Sequence, residues 1–190
     1  MKYIVWSILI WMTLCLNVNG QAPGLVIQAG VTSAWVKDQN VTPSGKAHSG
    51  YMIGADARLL DGSMYFLVGG QFHNLQFAAT ESFKLTGGDW KIIMGRFGLG
   101  FDLIHFSNNL AIRSKLLGSI NMNVSYPDGG LRIMGYSDVN EAFFGATTGL
   151  GVTIGFIDVD IEYQYGLLNT FYEQSNTKGN SITFMAGIHF

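Results

Sequence analysis

Eight ionisable residues sit inside stretches that otherwise alternate large apolar and small residues: Asp56, Arg58, Arg96, Asp102, Arg113, Lys115, Asp160 and Glu162. Four are basic and four acidic. Gathered on one face, such a set could line a water-filled path that selects ions. It could also pair off and seal the space it occupies, because opposite charges satisfy each other where lone ones would be costly to bury. The even balance favours pairing. His73 and His189 add imidazoles on separate segments and at different heights, so no metal site is expected. The glycines Gly95, Gly98, Gly100 and Gly149, Gly151 lie within strand-like stretches and precede no helix; they read as close packing, not as a phosphate loop. The only cysteine, Cys15, lies within the first apolar run, which leaves no cysteine for a disulfide, a thiolate metal site or a nucleophile in the remainder. No cofactor is expected.

The elements that must position these charges announce themselves by a period of two. After Lys2, the run Ile4 to Leu16 and the small, polar Asn17 to Gly20 read as a secretory signal peptide over residues 1–20, cleaved near Gly20 to Gln21. The run is too short to span a bilayer, which takes roughly 20 apolar residues. Residues 21–190 then form one domain. Its last stretch, Asn180 to Phe190, sets Ile182, Phe184, Ala186, Ile188 and Phe190 against Ser181, Thr183, Met185, Gly187 and His189. Seven more strands precede it: Leu25 to Trp35, about Tyr51 to Leu60, Met64 to about His73, Trp90 to Ile104, Leu110 to Tyr126, Ala142 to Gly155, and one opening at Val159. His105 to Asn109 and Phe156 to Asp158 read as short turns, and Leu167 to Lys178 as the last long loop. The connections alternate long and short, the rhythm of a barrel whose short turns lie on one side of a membrane and longer loops on the other.

The fold expected is all-β: an eight-stranded, antiparallel, up-and-down transmembrane β-barrel. Charged residues make up 13% of the chain, against about a quarter in soluble domains, and no long apolar run follows the leader. The strand charges all lie opposite the large apolar residues, the reverse of a soluble barrel that holds a greasy ligand. Trp35, Tyr51, Phe72, Trp90, Tyr126, Phe144 and Tyr165 stand where strands meet the long connections, as an aromatic girdle requires. A net charge of −2 with no basic cluster gives no reason to expect nucleic-acid binding.

The leader ending before Gln21, the segment Gly98-Leu99-Gly100-Phe101-Asp102-Leu103-Ile104, the stretch Gly118 to Tyr126 and the Phe-terminated last strand resemble the outer-membrane β-barrel domain of Bacteroidetes bacteria, the porin-family or PorT-like type. The resemblance implies the barrel fold and an outer-membrane address, and for most members no defined activity. The partners then expected are outer-membrane lipid, lipopolysaccharide and the barrel-assembly machinery, the last engaged through the strand ending at Phe190. A second likeness is local. His105-Phe106-Ser107-Asn108 is similar to the His-x-Ser-Asn motif of lipid A deacylases, which implies a general base at His105, a nucleophile at Ser107 and an oxyanion donor at Asn108. The family's Glu, about a dozen residues beyond the serine, has no counterpart here, since Ser119 stands there. Turn composition accounts for the same residues. The function expected is structural, surface-binding or weakly porin-like. A lipid A-modifying hydrolase and an accessory subunit of an envelope complex are the alternatives.

Overall fold

A computed structural model describes residues 24–36, 47–59, 63–76, 89–107, 110–125, 140–170 and 177–190. Eight strands follow in order: β1 Gly24–Val36, β2 His48–Leu59, β3 Met64–Gln76, β4 Asp89–Ser107, β5 Leu110–Ser125, β6 Ala142–Ile154, β7 Ile157–Asn169 and β8 Lys178–His189. Each pairs antiparallel with its neighbour in sequence, and β8 returns to β1, so the sheet is a closed eight-stranded barrel. Closure runs from Val26 opposite His189 to Val36 opposite Gly179. The Leu25 and Phe190 backbones complete it by exchanging hydrogen bonds of 3.2 and 2.9 Å. A closed ladder leaves no unpaired edge, the condition for strands to enter a medium that cannot hydrogen-bond to them.

Strand alternation decides which side chains face out. On the outer wall stand Ile27, Val31, Phe97, Leu116, Phe144, Leu150, Ile161 and Phe184, with Leu116 63% and Val31 62% exposed. Their inward neighbours are polar, charged or glycine: Gln28, Thr32, Arg96, Lys115, Gly145, Gly151, Asp160 and Thr183 are all buried. An unbroken apolar wall of this extent is foreign to a soluble monomer, whose patches seldom exceed a few hundred Å².

An eight-stranded cylinder is only wide enough for side chains to fill it, and glycines make the room. A β-carbon at Gly69 would run into the Asp56 carboxylate, one at Gly151 into that of Asp160, and one at Gly100 into the Tyr65 ring. Tyr65, Leu67 and Leu117 pack together inside, on the β3–β5 side. At Gly155 a φ of +63° lets the β6–β7 hairpin close in two residues, in the left-handed region glycine enters without cost.

Several boundaries differ from the sequence reading. β4 runs through His105 and on to Ser107, into the stretch expected as a turn. The next turn is Gly155–Phe156, and Asp158, expected in a turn, lies in β7 with no exposed surface. β7 also continues past Leu167 to Asn169, where the pairing with β8 slips between Tyr165 and Asn169. That irregularity leaves Leu167 and Leu168 both exposed and breaks the alternation on which the strand end was judged.

Candidate functional site: the barrel interior

The centre of the interior is Arg96, on the inward face of β4 and 2% exposed. Its Nε donates to Asp56 Oδ1 at 2.8 Å, and its Nη2 pairs with Asp56 Oδ2. On the other side Nη1 donates to Glu162 Oε2 at 2.7 Å and Oε1 at 3.0 Å. One guanidinium thereby ties β2 to β7 across the lumen, in the planar geometry that suits arginine to carboxylates. Lys115 Nζ lies 2.6 Å from Glu162 Oε1 and 3.5 Å from Asp160 Oδ1. Arg113 Nη2 lies 3.3 Å from Asp160 Oδ1 and 3.1 Å from Asp158 Oδ1. Arg58 Nη2 reaches Asp158 Oδ2 at 2.5 Å while its guanidinium lies over the Tyr65 ring, 5.3 Å from the centroid. The chain of alternating charge thus runs Asp56, Arg96, Glu162, Lys115, Asp160, Arg113, Asp158, Arg58. Four cations meet four anions, and each has an opposite partner.

Of the eight charges singled out in the sequence, Asp102 stands apart from this chain. Its carboxylate is part-buried and lies 3.4 Å from His105 Nε2. The sequence reading missed Asp158, which binds Arg58 and Arg113, accepts from Thr153 Oγ1 at 2.7 Å and lies 3.8 Å from His189 Nδ1. Its inward parity with Asp160 and Glu162 was the available signal. His73 is elsewhere, fully inside, so the two histidines do not meet. Among the described residues no three His, Cys, Asp or Glu side chains gather as a metal site would require.

Beyond Arg96 the interior becomes neutral. With its amide oxygen turned towards Arg96 Nη1 (2.6 Å) and Gln28 Nε2 (3.2 Å), Gln71 presents its nitrogen to His73 Nε2 at 2.9 Å. The ring proton then sits on Nδ1, which donates to Thr32 Oγ1 at 3.2 Å; Thr32 in turn bonds Thr183 Oγ1 at 2.8 Å. Gln164 Nε2 donates to Ser119 Oγ and to Asn121 Oδ1, each at 3.0 Å, and Ser181 Oγ donates to Gln164 Oε1 at 3.3 Å. Towards the ends that carry the long connections, the inward positions turn apolar: Val36, Leu75, Trp90, Met94 and Phe143 border a cavity of about 60 Å³.

Trp90 corrects the sequence reading most plainly. It was expected in the girdle, yet it is buried in the lumen, and its Nε1 donates to Asn123 Oδ1 at 2.6 Å. Asn123 Nδ2 passes the contact to Asn140 O at 2.5 Å, and Asn140 Nδ2 to Asn169 O at 2.7 Å. Tyr51, Phe144 and Tyr165 are exposed on the outer wall, and Trp35 meets Tyr163 there with ring centroids 6.3 Å apart. Tyr126 lies outside the described residues, as do the leader and Asn108. His105 is exposed near the end of β4, and Ser107 is the last residue of that strand.

No family model matches the sequence, and no curated protein does. A solved barrel shares its fold. The chain is similar to Neisserial surface protein A, at 14% identity over 88% of this chain and 97% of that one, with a TM-score of 0.58. It is also similar to Ail, the attachment invasion locus protein of Yersinia pestis, at 14% identity over 90% of this chain and 100% of that one, with a TM-score of 0.47.

Proposed function

We propose that this chain is an integral protein of a bacterial outer membrane, of the small-barrel type its sequence resembles, with a structural or surface-binding role and no chemistry of its own. The leader over residues 1–20 delivers it, the strand ending at Phe190 engages the assembly machinery, and the outer wall lies against lipid and lipopolysaccharide. One observation carries this reading: large apolar side chains cover the outside of a closed barrel, while ionised residues are buried and paired within. In water that arrangement exposes what should be hidden. In a bilayer it hides what cannot be exposed. The fold shared with a protein named for the Neisserial surface supports the same address.

The paired network makes the lumen a plug. Reconstituted in planar bilayers, the protein should give no steady conductance at moderate voltage; large, stable single-channel currents would show that the Arg96 cluster leaves an open path. Catalysis at His105 has one structural point in its favour, the Asp102 carboxylate 3.4 Å away. Cells carrying Ser107→Ala should nevertheless show unchanged lipid A.

A further inference from the structure

From the outer rim of the barrel where β7, β8 and β1 meet, we infer that Lys178 holds the phosphate monoester of a membrane lipid whose acyl chains lie down the apolar wall beneath it. The site presupposes the outer-membrane address proposed above and adds to it a place and a chemistry. Its residues stand at the end that carries the long connections: Trp35 is near the end of β1, Tyr163 and Tyr165 lie in the second half of β7, and Lys178 opens β8. Tyr165 is opposite Asn180, and Asn180 is opposite Trp35, so one row of the sheet carries an aromatic ring on either side of β8. Below that row Ile161 pairs with Phe184, and both are exposed on the outer wall.

A lysine at a membrane interface ordinarily lays its stem along apolar surface and lifts its ammonium into water. Lys178 is held instead. Its Nζ lies 5.3 Å from the centroid of the Tyr165 ring and donates to Tyr165 Oη at 3.4 Å. Ring face and hydroxyl keep the cation against the wall. Among the described residues Tyr165 supplies both of these side-chain contacts, so two of the three ammonium N–H groups are left for an outside acceptor. A partner that meets both this cation and the wall below it needs an anionic head and an apolar body, which a free ion lacks.

The other cations sharpen the choice. Arg58, Arg96, Arg113 and Lys115 are committed to carboxylates in the lumen. Of the described lysines and arginines, Lys91 and Lys178 are left outside it. Lys91 lies on β4, on the opposite side of the cylinder from β8, between Asn74 and Ser125, which bring neither a ring nor a charge. It is a bare surface cation, whereas Lys178 is fixed in place. A phosphate monoester carries a charge of about −1.5 to −2 near neutral pH and has three acceptor oxygens, enough to take both free N–H groups at once. A phosphodiester offers a single charge and is the weaker match.

Nanodiscs of phosphatidylcholine with a small fraction of phosphatidic acid test this, read by native mass spectrometry of the released barrel. The wild-type chain should retain one phosphatidic acid well above its share of the disc lipid. Lys178→Gln should cut that retention at least about tenfold, as the loss of a hydrogen bond between charged groups implies, while Lys178→Arg keeps it. Tyr165→Leu, which frees the ammonium from the wall, should cost about threefold. Lys91→Gln should change nothing, and phosphatidylglycerol, a diester, should be retained more weakly than phosphatidic acid. An equal loss in Lys91→Gln, or equal retention of phosphatidic acid and phosphatidylcholine, would mean diffuse attraction and overturn the inference. Displacement of the lipid by inorganic phosphate would give the site to the free ion and overturn it too. Heat-modifiable gel migration reports that each variant folds. A folded barrel that does not enter the discs would remove the membrane reading and this site with it; one that enters and shows no dependence on Lys178 removes the site alone.

Discussion

Arg96 and Trp90 stand on the same inward face of β4, yet the lumen around them is built on opposite terms. Around Arg96 every charge faces a counter-charge at hydrogen-bonding distance, and glycines on adjoining strands give up their side chains to make space. Around Trp90 the lining is mostly apolar and a cavity persists. The first region fills its volume with its own residues. The second keeps space that its own residues leave unfilled. A narrow barrel therefore need not be uniform: one part of its interior can lock the cylinder while another leaves a cavity.

The largest break in this contrast should come from Arg96→Ala, which strands Asp56 as a buried, uncompensated anion and leaves Glu162 with Lys115 alone. Urea unfolding of the refolded barrel should register a loss of about 3–5 kcal/mol. Removing one opposite pair, in Arg96→Met with Asp56→Asn, should restore much of that stability, because it leaves three cations facing three anions, with Glu162 still on Lys115. A smaller loss is expected from the wall: Leu116→Arg, if its site lies near the bilayer midplane, should cost about 2–4 kcal/mol in vesicles. That cost should shrink in a detergent that lets the arginine reach water. Least disruptive is Trp90→Phe. It keeps the cavity's apolar lining and removes the donor to Asn123, so about 0.5–1.5 kcal/mol should be lost.

The fold was legible because strands that divide two media write their alternation into nearly every position. Ile182, Phe184 and Ile188 against Thr183, Met185 and Gly187 leave little choice of face, and the order of long and short connections sets the pairing. Legibility fails where the two faces cease to differ in chemistry. Trp90, Ile92 and Met94 point inward while Lys91 and Ile93 point outward, so hydrophobicity alone gave Trp90 the wrong side. Met94 offered a clue, since it shares the parity of Arg96. Asp158 was missed for another reason: the Gly155–Phe156 hairpin is tighter than the sequence suggests, and a carboxylate beside a turn is ordinary until its parity with Asp160 is followed inward. The pairing itself was beyond the sequence. Nothing in the spacing of Asp56, Arg96 and Glu162 says that a single guanidinium spans β2 and β7; that contact depends on how far the strands stagger around the barrel.

The polarity of the cylinder can be read out directly, because residues 21–190 contain no cysteine of their own. Single cysteines at Leu116 and Phe97, carrying a small fluorophore in phospholipid vesicles, should be strongly quenched by brominated acyl chains and barely by aqueous iodide. Strong quenching by iodide with none from the brominated lipid would put that wall in water and contradict a membrane-spanning barrel.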